Sequence, residues 1–250
     1  MFENLNELDL NIELFLSNYI EIPDVGKLYC LTNDEIKKLK FTKYNQYLSM
    51  LCLEKEQIKT FLSDYLKDED DISTFDYLVS VSCHDIQFRQ LILDALSTFF
   101  KEEIIFSKES LCFFIGDLNE NNIINSNNYE YIKFILKKQN GIQSKEPEKF
   151  ANSIAEQMAK KLKLLRDKYN KSHNNDEQIY DYSDILSSIS AKHHSINPLN
   201  IGQLTVYQTL DQFKRLNKID KFDIDIQSLL HGAKQENIKL DNWFSKINNI

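Results

Sequence analysis

The sequence predicts a mainly α protein of the α+β kind, bundle-like, with one or two small β hairpins in its N-terminal half. Three observations carry that prediction. Apolar residues recur at three- and four-residue intervals along most of the chain, as one buried face of an α-helix requires. Five Gly and three Pro in 250 residues leave few obligatory breaks. Sixteen Phe and 12 Tyr supply large side chains for a core that a chain of this length can bury without disulfide or metal staples.

The elements follow in order. Pro23-Asp24-Val25-Gly26 is a turn cluster flanked by the apolar runs IEI and KLYCL, which predicts a hairpin within residues 20–31. Thr32-Asn33-Asp34-Glu35 has capping-box spacing: the Thr32 hydroxyl can accept the amide three residues on, and Glu35 can reach back, so a helix starts there. Phe41, Tyr44, Tyr47, Leu48 and Leu51 then share a helical face, and Ile58, Phe61, Leu62 and Tyr65 repeat the pattern in a second helix. The acidic run Asp68 to Asp71 interrupts the period. It resumes in ISTFDYLVSVSCHDIQFRQLILDALSTFFKEE, with a break at His84-Asp85. EIIFS and LCFFIG, separated by Lys108-Glu109-Ser110, suit strands better than helices and predict a second hairpin over 103–115, with Gly116 at its exit. NSNNYEYIKFILKKQNG opens on Asn residues suited to capping and closes on a basic turn and Gly141, the polarity of a helix.

Residues 141–149, GIQSKEPEK, read as a polar linker between an N-terminal α+β region over 1–140 and a C-terminal helical region over 150–250. FANSIAEQMAKKLKLLRDKY is a long amphipathic segment, and YSDILSSISAKHH starts another with Ser183 or Asp184 as its cap. Proteolysis is expected first within 141–149 or 170–179, both polar interruptions. Asp220, Asp223 and Asp225 are read as the N-terminal region of a further helix, where carboxylates complement the dipole. In NPLNIGQLTVYQTLDQFKRL, Leu204, Tyr207, Leu210 and Phe213 fall on one face, which serves equally as a core stripe or a docking face. With Trp243 and Phe244 they form the candidate partner-binding set.

Composition narrows the function classes. A net charge of -8 with interspersed signs offers no wide positive face to a phosphate backbone, so no nucleic acid is expected. The acidic N-terminus lacks a basic leader, and no apolar run approaches the roughly 20 residues that span a bilayer, so neither export nor membrane insertion is expected. Cys30, Cys52, Cys83 and Cys112 are widely spaced in apolar context and read as reduced core thiols. His193 and His194 point about 100° apart on a helix and suit a C-terminal cap better than a shared metal ion. Cys83-His84-Asp85 lacks an oxyanion-type loop and reads as a core Cys beside a helix cap. The acidic run lacks calcium-loop spacing, and the scattered glycines build no phosphate loop. The expectation is therefore a protein with no catalytic residues, no cofactor and no metal.

Three stretches carry a resemblance: VGKLYCLTNDEIKKLKFTKYNQYLSML, LNIGQLTVYQTLDQFKRLNKIDKFDIDIQSLLHGA and the closing NWFSKI, with FFKEE and FFIGDL between them. Together they resemble phage proteins encoded among tail genes, similar in character to the tail assembly chaperones that precede the tape measure protein. The resemblance implies a non-enzymatic assembly factor in the host cytoplasm that holds apolar helices of the tape measure protein until the tail tube polymerises. It equally accommodates a structural part of the tail, a connector or baseplate component. A hydrolase with an unrecognised site is the alternative of a different class. Oligomeric state is left open.

Overall fold

A computed structural model describes residues 6–55, 57, 58, 73–117, 122–142, 181–234, 238 and 240–247. The predicted second helix beyond Ile58, the acidic run, the 150–169 amphipathic segment and the 170–179 cleavage region lie outside the described residues, as does the linker after Ile142. The fold is α+β, and 59% of the described residues are helical. In chain order the elements are α1 (Glu7–Leu16), β1 (Tyr19–Ile22), β2 (Gly26–Tyr29), α2 (Asn33–Leu39), α3 (Phe41–Leu51), α4 (Thr74–His84) and α5 (Ile86–Phe100). There follow β3 (Ile104–Ser107), β4 (Cys112–Ile115), β5 (Ile123–Ile124), α6 (Tyr129–Gln139), α7 (Tyr182–Lys192), a 3-10 turn (Ile201–Gln203) and α8 (Val206–Leu230).

Both predicted hairpins form. β1 and β2 pair antiparallel from Tyr19↔Tyr29 to Ile22↔Gly26, and Asp24 and Gly26 take positive φ in the turn between them. β3 and β4 pair from Ile104↔Ile115 to Ser107↔Cys112. A two-residue strand, β5, adds to β4 without a signal in the sequence, because two isoleucines are too short a run to show alternation. Its Ile123 amide reaches the Asp24 carbonyl and so ties this sheet to the first hairpin.

The helix starts follow local chemistry. Thr32 and Glu35 make the capping box in full, the hydroxyl accepting the Glu35 amide and the carboxylate accepting the Thr32 amide. The break at His84-Asp85 is real: Asp85 ends α4 and its carboxylate accepts the Gln87 and Phe88 amides to start α5. Asn128 precedes α6 but does not cap it through its side chain, which bonds the Asn125 amide and the Ile123 carbonyl instead. The cap of α7 is Asp181, two residues before Ser183 and three before Asp184: Asp184 is its capping-box partner at the third helical position, and the Ser183 hydroxyl donates to the Asp181 carboxylate. Asp220, Asp223 and Asp225 lie inside α8 and not at a helix start. A Thr205–Gln208 capping box starts α8 much earlier, and the polar second half continues it without a new cap.

The core centres on α5, whose Ile92, Ala95, Leu96, Phe99 and Phe100 are all buried and pack with residues of α3, α4, β2 and β3. Residues of α8 belong to the same core. Val206 and Tyr207 join it, the Val206 amide donates to the Leu31 carbonyl, and the Asn33 amide donates to the Leu204 carbonyl, so the start of α8 is stitched to the start of α2. α7 packs on α8 and stacks Tyr182 on Phe41 of α3, with ring centroids 5.2 Å apart.

Candidate functional site

A concavity is built around α1. Asn6 caps this helix by accepting the Asp9 amide at 2.9 Å, and Leu10 and Leu14 anchor it in the core. Six of its ten residues are apolar, more than one face can bury. Leu8, Ile12, Phe15 and Leu16 therefore remain exposed, at the i, i+4, i+7 and i+8 spacing of a second face. Gln208 fixes the helix against α8 by donating from Nε2 to the Phe15 carbonyl at 2.9 Å.

Ile12, Phe15 and Leu16 form one wall of a cavity of about 770 Å³. Tyr207, Asp211, Gln212 and Arg215 of α8 line another side, Lys138 closes one end from α6, and Trp243, Lys246 and Ile247 of the C-terminal segment form the remaining wall. That segment is held by cations of α8. Arg215 Nη1 donates to the carbonyls of Trp243 at 2.5 Å and Ser245 at 3.0 Å, while Lys218 Nζ donates to the Lys246 carbonyl at 3.0 Å and pairs with Asp241 at 3.3 Å. The backbone from 241 to 247 thus forms a clasp.

Charge rims the groove. Glu7 pairs with Lys138 at 3.3 Å and with Lys246 at 3.4 Å, and the hydrogen bond from Lys138, followed by its charge and those from Lys246, holds the carboxyl below its ordinary value. Asp211 moves the other way: burial raises it, with Arg215 and Lys214 only partly opposing. Burial likewise lowers Lys214.

The six candidate binding residues are dispersed. Tyr207, 4% exposed, is a core residue whose surface also forms part of the groove floor. Trp243 is 43% exposed in the groove wall. Phe244 meets Trp243 edge to face at 5.7 Å but points outside the groove. Leu204 follows the 3-10 turn and gives its carbonyl to Asn33, Leu210 packs against the core beside Gly141, and Phe213 is half-buried along α8. The groove brings together two of the six and adds α1 and the basic rim. Only the apolar excess of α1 could have pointed there from sequence.

The groove mixes apolar and charged side chains. Its lining offers aromatic and aliphatic surface, carboxylates, cations and amides, with no Ser, Cys or His to act as a nucleophile or base. His193 lies elsewhere and caps α7, its Nδ1 accepting the Ser195 and Ile196 amides at 3.1 and 3.0 Å. Among the described residues, no group of three His, Cys, Asp or Glu is placed to hold a metal ion, and no helix is long and apolar enough to cross a membrane.

One family model matches the chain, the YomV second domain, over residues 170–248. This phage-derived family covers about a third of the chain, spanning α7, α8 and the C-terminal segment. Tyr207, Asp211, Arg215, Trp243 and Lys246 of the groove fall inside the match, whereas the α1 wall and Lys138 fall outside it. No curated protein and no solved structure matches.

Proposed function

We propose that this protein is a non-enzymatic binding factor of phage tail morphogenesis, acting as an assembly chaperone that receives an apolar helix of the tape measure protein. The observation that carries the reading is the groove beside α1, an exposed apolar wall facing aromatic and cationic residues of α8 and the C-terminal segment. An aliphatic stripe opposite a Trp is suited to the apolar face of an amphipathic helix, read at the spacing of successive turns. Support for the phage setting comes from the YomV second-domain match, and for tail assembly from the sequence resemblance.

The test is co-expression of the tagged chain with the products of the neighbouring tail genes. The tape measure protein is expected to be retained by the wild type and lost with Phe15→Glu or Leu16→Glu, two exposed positions on the groove wall. Retention of no tail product, or retention unchanged by these substitutions, defeats the reading. Mature particles separate the two structural roles: a chaperone is absent from them, and a tail component is present at fixed stoichiometry.

A further inference from the structure

We propose that, when no other partner fills the groove, α1 of a second copy of this chain does, in a two-fold symmetric dimer. The inference rests on the groove being a helix-binding surface and is independent of the role in tail assembly. α1 presents both halves of such a contact. Its stripe of Leu8, Ile12, Phe15 and Leu16 is a ridge left in water, and the same helix is one wall of the groove. A two-fold axis between two such helices sets each ridge in the other copy's groove, the self-complementary arrangement that closes a dimer.

Charge selects this occupant. The groove lining carries three cations, Lys138, Arg215 and Lys246, against two carboxylates, Glu7 and Asp211, in a chain whose net charge is -8. The occupant it favours is an acidic amphipathic helix, and α1 is one. At 100° per residue, Asp9 and Glu13 lie on the flank of the stripe opposite Glu7 and Asn11, the flank turned away from the groove of their own copy. With the order clasp, second α1, first α1, second clasp across the dimer, the Glu7–Lys246 pair that bridges α1 and clasp within each copy opens, and the acidic flank faces the freed Lys246 of the other copy. Both Asp9 and Glu13 are exposed, so the charges are placed to meet a second molecule.

Sedimentation equilibrium over a concentration series tests the proposal. The mass is expected to rise from 29.5 kDa towards twice that value, with a shift in the emission of Trp243, the chain's one tryptophan and a groove residue. Leu16→Glu, at a position 74% exposed and therefore harmless to the core, is expected to remain monomeric throughout with an unchanged circular dichroism spectrum. Glu13→Lys and Lys246→Glu are each expected to weaken association about tenfold, and the double variant to restore it. A wild type that stays monomeric, a dimer indifferent to Leu16→Glu, or a double variant no tighter than the single ones overturns the proposal. Capture of a tail protein by a strictly monomeric chain sinks the dimer and leaves the proposed function standing; a dimer that captures no tail product does the reverse.

Discussion

At the scale of single residues, Asn33 joins the start of α2 to groups 168 and 176 residues further along the chain. Its Nδ2 donates to the Ile201 carbonyl at 2.8 Å and to the Thr209 hydroxyl at 2.9 Å, and its Oδ1 accepts from the Tyr182 hydroxyl at 2.6 Å. Replacing it by Leu leaves these buried partners unsatisfied, so a loss of about 1–3 kcal/mol is expected in chemical denaturation, with Tyr182→Phe losing less because its ring still stacks on Phe41. Glu35 supplies a pH-dependent contribution. Burial raises its pKa, but the Lys101 ammonium and the Thr32 amide and hydroxyl outweigh it and leave the carboxyl below its ordinary 4.5. A carboxyl depressed in the folded state adds stability that is complete above the unfolded value and lost as pH falls through the folded one. Glu35→Gln is therefore expected to melt below the wild type at neutral pH, with the gap closing in melts run well below pH 4.5. The capping role of Thr32 and Glu35 was legible because both partners lie within one turn. The bridging role of Asn33 was not, since its acceptors are 168 and 176 residues away.

At the scale of elements, helices whose two ends carry their own chemistry could be read from sequence, and helices defined by what they pack against could not. α2, α5 and both hairpins are marked by caps, turns and short apolar runs. α8 runs through three aspartates because its first half is anchored in the core and propagation beyond that anchor needs no new nucleus. α1 carries apolar residues on two faces, and sequence alone assigns neither to the core; the structure buries Leu10 and Leu14 and leaves the groove wall outside. The same ambiguity covered the aromatic face of α8. Tyr207→Ala is expected to cost about 3 kcal/mol in denaturant melts, as for other large buried side chains, whereas Phe244→Ala, at 66% exposed, should stay within about 0.5 kcal/mol. Similar losses for both would mean that the C-terminal clasp is part of the core. Within the buried elements, burial pushes the thiol of Cys30 up to about 11 and that of Cys52 up to about 12. Native iodoacetamide labelling followed by mass spectrometry is expected to modify the half-buried Cys83 while sparing Cys30 and Cys52, and labelling of all three at equal rates counts against the packing around α3.

At the scale of the whole molecule, the polar stretch after α6 suggests a division that the packing of the described residues bridges. The first turn of α8 places Val206 and Tyr207 in the core formed by α1 to α6, and backbone hydrogen bonds join Leu31 and Asn33 to Val206 and Leu204. A chain ending at Ile142 keeps every hairpin and the sequence of α1 to α6, yet it loses these core residues and the acceptors of Asn33. Re-exposing the apolar surface that Val206 and Tyr207 cover costs roughly 1.5–3 kcal/mol for each side chain. Losing the Asn33 side-chain hydrogen bonds costs roughly 0.5–1.5 kcal/mol for each, so the total approaches the ~5–15 kcal/mol on which a typical domain survives. The truncated chain is therefore expected to retain helical far-ultraviolet dichroism while losing its near-ultraviolet signal and its sharp thermal transition. A fragment that melts cooperatively within a few degrees of the full chain would show instead that α8 docks onto a core already complete, and that the groove between α1 and α8 joins two independently stable parts.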